Sequence, residues 1–182
     1  MKLVIIAAHG PRMELGYQNR LPWDFHSEMA KEDMALFKEK TSEPNTAILM
    51  GRKTFESIPE SKTTGERLPG RKIIVLSSTM PLGPKGNTWV TRDFDMDLRE
   101  CLKRTGIHKV YIAGGASIYK MFLNDPELHE MHLTRMDGKF KADTFFPAFD
   151  PKAFKSVEYK ELNKMSDLMV FSNRDFSIPA CL

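Results

Sequence analysis

Short runs of consecutive apolar residues limit most strongly what this chain can fold into. The first run covers residues 3–8, and similar runs recur at 47–50, 72–76 and 110–113. A strand with one face in water alternates apolar and polar residues, whereas continuous apolar runs are typical of strands covered on both faces. We therefore expect these four segments to be buried central strands of one sheet.

The segments between these strands have helical character, which fixes the fold class. Helices are predicted at 27–40, 52–58, 97–105 and 116–123, so strands and helices alternate as in a sheet with crossover helices. After residue 126 the pattern changes to strands at 130–136, 154–161 and 168–177, the last two joined by a polar turn around Asn163 and Lys164. The prediction is a single α/β domain over residues 1–182. Its central sheet is mostly parallel, with an antiparallel C-terminal edge and helices on both faces.

Size and charge exclude several classes of protein. The 182 residues suit one compact domain, and 27 basic residues are interspersed with 24 acidic ones to give a net charge of +3. Without a basic block, no nucleic-acid partner is indicated, and the mild positive balance favours anionic small molecules. We expect a monomer.

Cysteine usage and hydropathy bear on location. Cys101 and Cys181 are far apart, and no C-x-x-C pair is present, so neither a disulfide framework nor a metal site is expected. The apolar run at 3–8 is too short for a signal-peptide core, and no stretch approaches the ~20 apolar residues of a membrane span. These features predict a cytoplasmic protein without a membrane segment.

Asp33 is the residue most indicative of chemistry. It lies on the apolar stripe of the helix predicted at 27–40, and the charged residues of that helix share the opposite face. Burying an unpaired carboxylate is costly, so the site must pair it, raise its pKa or use it. At this point a structural Asp, bonded to a distant Arg or to backbone amides, is equally compatible with the pattern. The helical neighbours of Asp33, three and four positions away, are all apolar: Met29, Ala30, Leu36 and Phe37.

Two further features suggest anion binding and close ligand approach. Helix starts follow strands at Gly51-Arg52-Lys53-Thr54 and at Gly114-Gly115, where free N–H groups and the helix dipole favour anions. The glycines do not have the G-x-G-x-x-G spacing of a Rossmann fold. Two long loops, predicted at 8–23 and 59–70, are of the kind that is usually functional in a compact domain.

Eight short motifs follow one another over nearly the whole chain. They are Leu21-Pro22-Trp23, Glu32-Asp33-Met34-Ala35-Leu36-Phe37-Lys38, Ile48-Leu49-Met50-Gly51-Arg52-Lys53-Thr54-Phe55-Glu56-Ser57-Ile58, Leu68-Pro69-Gly70-Arg71, Leu76-Ser77-Ser78, Ile112-Ala113-Gly114-Gly115-Ala116-Ser117-Ile118-Tyr119, Leu133-Thr134-Arg135 and Asp143-Thr144-Phe145-Phe146-Pro147. In order and character these motifs resemble the dihydrofolate reductase family. Each is weakly specific alone, but eight in the family's order make coincidence very improbable.

The resemblance implies reduction of dihydrofolate by NADPH, with a hydride delivered to pterin C6 and a proton to N5. It places Asp33 against the 2-amino group and ring N–H of the pterin, Thr134 behind Asp33 through its hydroxyl and water, and Arg71 on the carboxylate of the glutamate tail. The implied catalytic set is Asp33, Trp23, Tyr119 and Thr134. The implied substrate-binding set is Ile6, Ala7, Asp33, Phe37, Ile58, Leu68, Arg71, Ala113 and Thr134.

The same resemblance assigns the cofactor site. Arg52, Lys53 and Thr54 are implied to hold phosphates, and Ser77 and Ser78 to contact the 2′-phosphate of the adenosine, so that NADPH is expected rather than NADH. The Gly114-Gly115 bond is implied to be cis, and Trp23 with the preceding loop to close over the nicotinamide. The full implied set is Ala8, Gly16, Leu21, Gly51, Arg52, Lys53, Thr54, Leu76, Ser77, Ser78, Ala113, Gly114, Gly115, Ala116, Ser117, Ile118 and Tyr119.

The chain departs from the commoner family pattern at two places. About five extra residues separate Trp23 from the Asp33 motif, so a simple count would place the acid at Glu28. We prefer Asp33 because the helical neighbours of Glu28 are charged. Ala113 is smaller than the branched residue common before the two glycines, which would widen the pocket.

Two other functions remain open on sequence grounds. A pyrimidine reductase of riboflavin synthesis resembles this fold and also uses NADPH, but it lacks the helix Asp and the tail-binding Arg. A non-catalytic relative would keep the fold as a binding module. Packing does not require Asp33, Arg71 and the two glycines together, so their joint presence favours the enzyme.

Overall fold

A computed structural model of the chain describes residues 1–173 and contains a nine-stranded sheet. The strand order is β10-β11-β8-β1-β7-β3-β4-β6-β5. The strands in chain order are β1 (Lys2–His9), β2 (Glu14–Gly16), β3 (Thr46–Gly51), β4 (Lys72–Leu76), β5 (Gly83–Lys85), β6 (Thr88–Thr91), β7 (Lys109–Ile112), β8 (Leu128–Met136), β9 (Thr144–Phe145), β10 (Phe154–Asn163) and β11 (Ser166–Asn173).

The direction of the strands confirms the predicted α/β class. The six neighbouring strands from β8 to β6 in the sheet order are parallel, and β10 and β11 complete the C-terminal edge as an antiparallel pair. The prediction was wrong in two details. Strand β8 runs parallel to β1, and the opposite edge also ends in an antiparallel strand, β5, that was not predicted.

Four α-helices occupy the predicted positions: α1 (Glu28–Thr41), α2 (Arg52–Ser57), α3 (Met96–Arg104) and α4 (Ala116–Leu123). The Ser27 hydroxyl caps α1 by accepting from the Ala30 amide at 3.3 Å, and Asp95 caps α3 in the same way. The starts of α2 and α4 are glycines, which offer no side-chain cap. In residues 1–173 no helix is long and apolar enough to cross a membrane.

The core lies on both faces of the sheet because successive strand residues point to opposite sides. Leu3 and Ile5 of β1 pack on the side of α3 and α4, which contributes Phe122. Val4 and Ile6 of the same strand pack on the other side, against Phe37 of α1. The prediction of helices on both faces is therefore confirmed.

The two long loops have different characters. The segment predicted as a loop at 8–23 contains β2, which pairs with β9 as a separate small sheet, so that prediction was incomplete. The segment at 59–70 is irregular, as predicted. The strand predicted at 168–177 begins earlier and extends to Asn173; residues 174–177 of that prediction, and Cys181, lie outside the described residues.

Candidate functional site

Most of the candidate residues lie at one edge of the sheet, where its parallel strands end. Strands β1, β7, β3 and β4 are neighbours whose carboxyl ends all point the same way, and Thr134 of β8 lies beside Ala8 of β1. In open α/β sheets this edge is where ligands bind. The candidate residues at or near the ends of these four strands are Ile6, Gly51, Leu76 and Ala113.

Asp33 lies on the inner face of α1 and is only 8% exposed. Burial raises its pKa to about 6, and a hydrogen bond with the Thr134 side chain partly opposes that shift. No Lys or Arg of residues 1–173 forms an ion pair with this carboxylate, so the alternative of a structural ion pair with a distant Arg finds no support in this part of the chain. The site therefore contains a buried acid that can be protonated near neutral pH.

Glu28, the alternative acid, lies on the opposite side of the same helix. Its side chain is 85% exposed and forms an ion pair with Lys31, one turn along α1. This placement agrees with the preference for Asp33. The extra residues between Trp23 and the Asp33 motif therefore leave Asp33 buried on α1.

Tyr119 of α4 approaches Asp33 from the other side of the sheet edge. Its hydroxyl donates to the Ile6 carbonyl oxygen at 3.0 Å, and its ring lies 5.0 Å from that of Phe146. Burial, and then the nearby charge of Asp33, raise the pKa of the Tyr119 hydroxyl. Tyr119 is therefore a neutral hydrogen-bond donor that holds the end of β1 in place.

Several apolar candidate residues pack together on the α1 face of the sheet. Phe37, Ile58, Leu68 and Ala113 all pack against one cluster of buried residues on this face of the sheet. Phe37 and Ala113 also pack against Val4 and Ile6. The structure thus brings together residues that the sequence placed in four separate motifs.

Arg71 lies beside the C-terminal end of α1. Its guanidinium is half-buried, and burial lowers its pKa. One guanidinium nitrogen donates to the Thr41 hydroxyl at 3.3 Å, and that hydroxyl donates in turn to the Phe37 carbonyl at 2.6 Å. Within residues 1–173, no carboxylate forms an ion pair with Arg71. Thr41 was missed at the sequence level because a helix-terminal Thr gives no hint of a partner thirty residues away.

Two helix starts meet beside the glycine pair. The Gly51 amide donates to the Gly114 carbonyl at 2.8 Å, and the Gly114–Gly115 peptide is cis, as the resemblance implied. Gly114 has φ +106°, and an added Cβ would lie 3.0 Å from the Tyr119 hydroxyl. A Cβ on Gly115 would lie 3.4 Å from the Thr54 hydroxyl. Glycine is therefore required at position 114, where the backbone has a positive φ and a Cβ would crowd Tyr119, whereas a Cβ at position 115 would make an ordinary van der Waals contact.

The two basic residues at the start of α2 lie at the surface. Arg52 and Lys53 are exposed, and the Arg52 guanidinium lies 3.7 Å from Glu56. An exposed pair at this separation contributes little to stability, so the guanidinium can turn toward an anion at low cost.

The two serines predicted to contact the 2′-phosphate lie at the end of β4 and differ in exposure. The Ser77 hydroxyl is buried and accepts from the amides of Thr79 and Met80, so it stabilises a turn. Ser78 is exposed. Arg92 donates to the carbonyls of Ser77 and Met80, adding a cation here that sequence reasoning missed.

The loop before α1 covers one side of the site. Trp23 is 7% exposed and packs against Met29 and Met136, whereas Leu21 is 40% exposed. Gly16 pairs with Thr144 of β9. The loop is thus attached to the segment that follows β8. The same segment supplies Phe140, which lies against Trp23 and was also missed from sequence.

Comparison with known proteins agrees with the geometry. The family model described as dihydrofolate reductase matches residues 2–173. A dihydrofolate reductase of Drosophila melanogaster is 31% identical over 161 residues, covering 86% of this chain and 85% of the relative. That of Gallus gallus is 32% identical, with 82% and 80% covered, and that of Staphylococcus aureus is 31% identical, with 88% and 89% covered. The chain therefore belongs to the dihydrofolate reductase family.

Proposed function

We propose that this chain reduces 7,8-dihydrofolate to 5,6,7,8-tetrahydrofolate with NADPH. Members of the family are oxidoreductases that use a nicotinamide cofactor. The observation that carries the proposal for this chain is Asp33, a buried carboxylate with a pKa of about 6 at the carboxyl edge of the sheet.

Asp33 would orient the pterin. A carboxylate offers two acceptor oxygens, which match the 2-amino group and the adjacent ring N–H of a pterin. The Thr134 hydroxyl supports Asp33 from β8. Ile6 and Ala7 of β1 would form the floor beneath the ring, since the Tyr119 hydroxyl fixes the Ile6 carbonyl.

Asp33 would also assist the protonation step of the reaction. Reduction adds a hydride at C6 and a proton at N5, so an acid protonated near neutral pH favours the reacting form of the substrate. Because the pKa is about 6, the protonated fraction of Asp33 in the free protein falls as pH rises through that value. The rate of the chemical step should fall in the same range.

Phe37, Ile58 and Leu68 would hold the aminobenzoyl group, and Ala113 would lie at the pterin end of these apolar residues. Arg71 would bind the carboxylate of the glutamate tail. Its half-buried guanidinium is held by Thr41 and forms no ion pair within residues 1–173, so a planar donor is available for a bidentate contact.

The residues at the other side of the edge fit a dinucleotide phosphate. Ala116 and Ser117 begin a helix with no side-chain cap, and the missing Cβ atoms of Gly114 and Gly115 leave room for close approach. Arg52, Lys53 and Thr54 would bind phosphates, with Ser78 and the backbone near Ser77 beside the 2′-phosphate. When bound, NADPH supplies the hydride. The remaining residues assigned to this site are Ala8, Gly16, Leu21, Gly51, Leu76, Ile118 and, at its catalytic end, Trp23.

We also propose that the enzyme is a cytoplasmic monomer that needs no nucleic acid. This rests on its composition and mixed charge.

The direct test is the loss of NADPH absorbance when dihydrofolate is added to the purified chain. We expect the wild-type chain to turn over, and we expect Asp33→Asn to lower kcat/KM at neutral pH by about two to four orders of magnitude. A folded chain that binds NADPH but does not reduce dihydrofolate would be a non-catalytic relative, and turnover of a riboflavin-pathway pyrimidine instead would identify the other reductase.

A further inference from the structure

We propose that Phe140 is a positioning residue that holds Trp23 in place over the reacting end of the site. The proposal rests on the function proposed above, because it assumes that Trp23 covers the nicotinamide and pterin. Phe140 lies in the segment between β8 and β9, more than a hundred residues from Trp23 in sequence. None of the residue sets assigned above to substrate or cofactor includes it.

The two rings meet edge to face. The centroids of Trp23 and Phe140 are 5.4 Å apart, with an angle of 65° between the ring planes. The other residues of this cluster are Met29, Ala30, Met136 and Ala8, and each is flexible or small. Phe140 is therefore the rigid aromatic contact that fixes the orientation of the indole ring.

Two glycines leave the space that the Phe140 ring occupies. A Cβ on Gly10 would lie 2.7 Å from Cδ2 of Phe140, and a Cβ on Gly138 would lie 2.7 Å from its Cζ. Gly138 also has φ +151°, a conformation that other residues rarely adopt. The chain on both sides of the ring thus leaves no space for a side chain at either position.

The backbone of Phe140 is tied to the loop before Trp23. The Arg12 guanidinium donates to the Phe140 carbonyl oxygen at 3.1 Å, and its Nε donates to Glu14 at 2.8 Å. Glu14 is 1% exposed, and its carboxylate also accepts from the Arg12 amide at 2.7 Å. The Glu14 carboxylate is buried, but the Arg12 side chain is 74% exposed. Phe140 is thus connected to the loop before α1 at two points, through its carbonyl to Arg12 and through its ring to Trp23.

Through these contacts Phe140, although half-buried in a surface segment, fixes the position of Trp23. Trp23 follows Leu21 and Pro22 in an exposed stretch, so the loop alone does not fix its position. Small displacements of a group that covers the reacting atoms lower the rate of the chemical step more than they weaken ligand binding.

The test uses Trp23 as its own reporter. Trp89→Phe removes the only other tryptophan, which is exposed and far from the site at the β5–β6 edge, and serves as the background. Phe140→Leu in this background should move Trp23 emission to longer wavelength and increase its quenching by acrylamide. The kcat for dihydrofolate reduction should fall by roughly ten- to a hundredfold, with little change in the KM for dihydrofolate.

A second variant and a matched control separate positioning from loss of stability. Gly138→Ala keeps the Phe140 ring but displaces it, and it should produce the same changes. Phe94→Leu is the control, since Phe94 and Phe122 also form an edge pair at 5.4 Å and 65° in the core beside α3. It should lower the melting temperature at least as much, yet leave Trp23 emission and kcat nearly unchanged.

The outcomes are distinct. If Phe140→Leu leaves emission or kcat as in the background protein, or if Phe94→Leu lowers kcat equally, Phe140 does not position Trp23. If the background protein itself does not reduce dihydrofolate, the proposed function fails, while the emission data still decide whether the ring contact holds Trp23.

Discussion

Replacing Asp33 with Asn separates catalysis from stability, because the structure predicts opposite effects on the two. The folded protein raises the pKa of this carboxyl from 3.8 to about 6. That shift corresponds to about 3 kcal/mol of destabilisation once the group is ionised in both states. Asn is neutral and keeps an oxygen that can face the Thr134 hydroxyl, so the fold loses the cost of the buried charge.

The sign of the pH dependence follows from the raised pKa. Between about pH 4 and pH 6 the folded state binds more protons than the unfolded state, so the wild-type chain loses stability as pH rises. Asp33→Asn should therefore be up to about 3 kcal/mol more stable at neutral pH, with a difference that disappears near pH 3. Denaturant unfolding of both proteins across this range measures it.

Activity should change in the other direction. Without the carboxylate the pterin loses an acceptor and the site loses its titrating acid, so kcat/KM at neutral pH should fall by about two to four orders of magnitude. The remaining activity should rise at low pH, where substrate is protonated in solution. NADPH affinity should be unchanged, and Glu28→Gln should behave like the wild type. The reasoning is refuted if Asp33→Asn unfolds the protein at neutral pH while Glu28→Gln abolishes turnover.

Three further predictions concern cations. Arg52→Gln should raise the KM for NADPH by about ten- to a hundredfold and that for NADH far less, because only NADPH carries the 2′-phosphate; equal effects in steady-state assays would remove the reason for naming NADPH. Arg71→Leu should weaken dihydrofolate binding strongly and leave a pterin without a glutamate tail unaffected; similar losses for both would mean that Arg71 is structural. Arg99→Met should cost about 3 kcal/mol in denaturant unfolding, because the Arg99 guanidinium pairs with the largely buried Asp125 and with Glu127. Lys2→Met, which breaks an exposed pair with Glu130, is its control and should cost under about 1 kcal/mol.

The sequence predicted those parts of the fold that depend on local pattern. The apolar runs at β1, β3, β4 and β7 are visible in a short window because burial on both faces leaves a continuous run of apolar residues. The stripe around Asp33 is visible because burial of one helix face gives a periodicity of about 3.6 residues. The short strands β2 and β9 were missed, since two or three residues carry no periodicity and become strands only by pairing with each other. Strand β6 (Thr88–Thr91) was missed as well, although its β-branched and aromatic residues were a signal that could have found it.

In the candidate site, too, residues with a local sequence signal were predicted, and residues that act through long-range contacts were missed. Asp33 and the Gly114-Gly115 pair were found because a carboxylate on an apolar face and adjacent glycines are unusual in themselves. Thr41, Arg92 and Phe140 act through contacts across ten to more than a hundred residues, which no single sequence motif contains. Ser77 was predicted to contact the 2′-phosphate; its hydroxyl also accepts two amide hydrogen bonds that form a turn, which the sequence did not indicate.

The central claim is that Asp33 is the acid of a dihydrofolate-reducing site. Its most direct test is the pH profile of hydride transfer, measured as loss of NADPH absorbance in a single turnover with dihydrofolate. For the wild-type chain the rate should fall as pH rises through an apparent pKa near 6, and this inflection should be absent in Asp33→Asn while Glu28→Gln retains it. An Asp33→Asn protein that folds, reduces dihydrofolate at the wild-type rate and keeps the inflection would contradict the assignment.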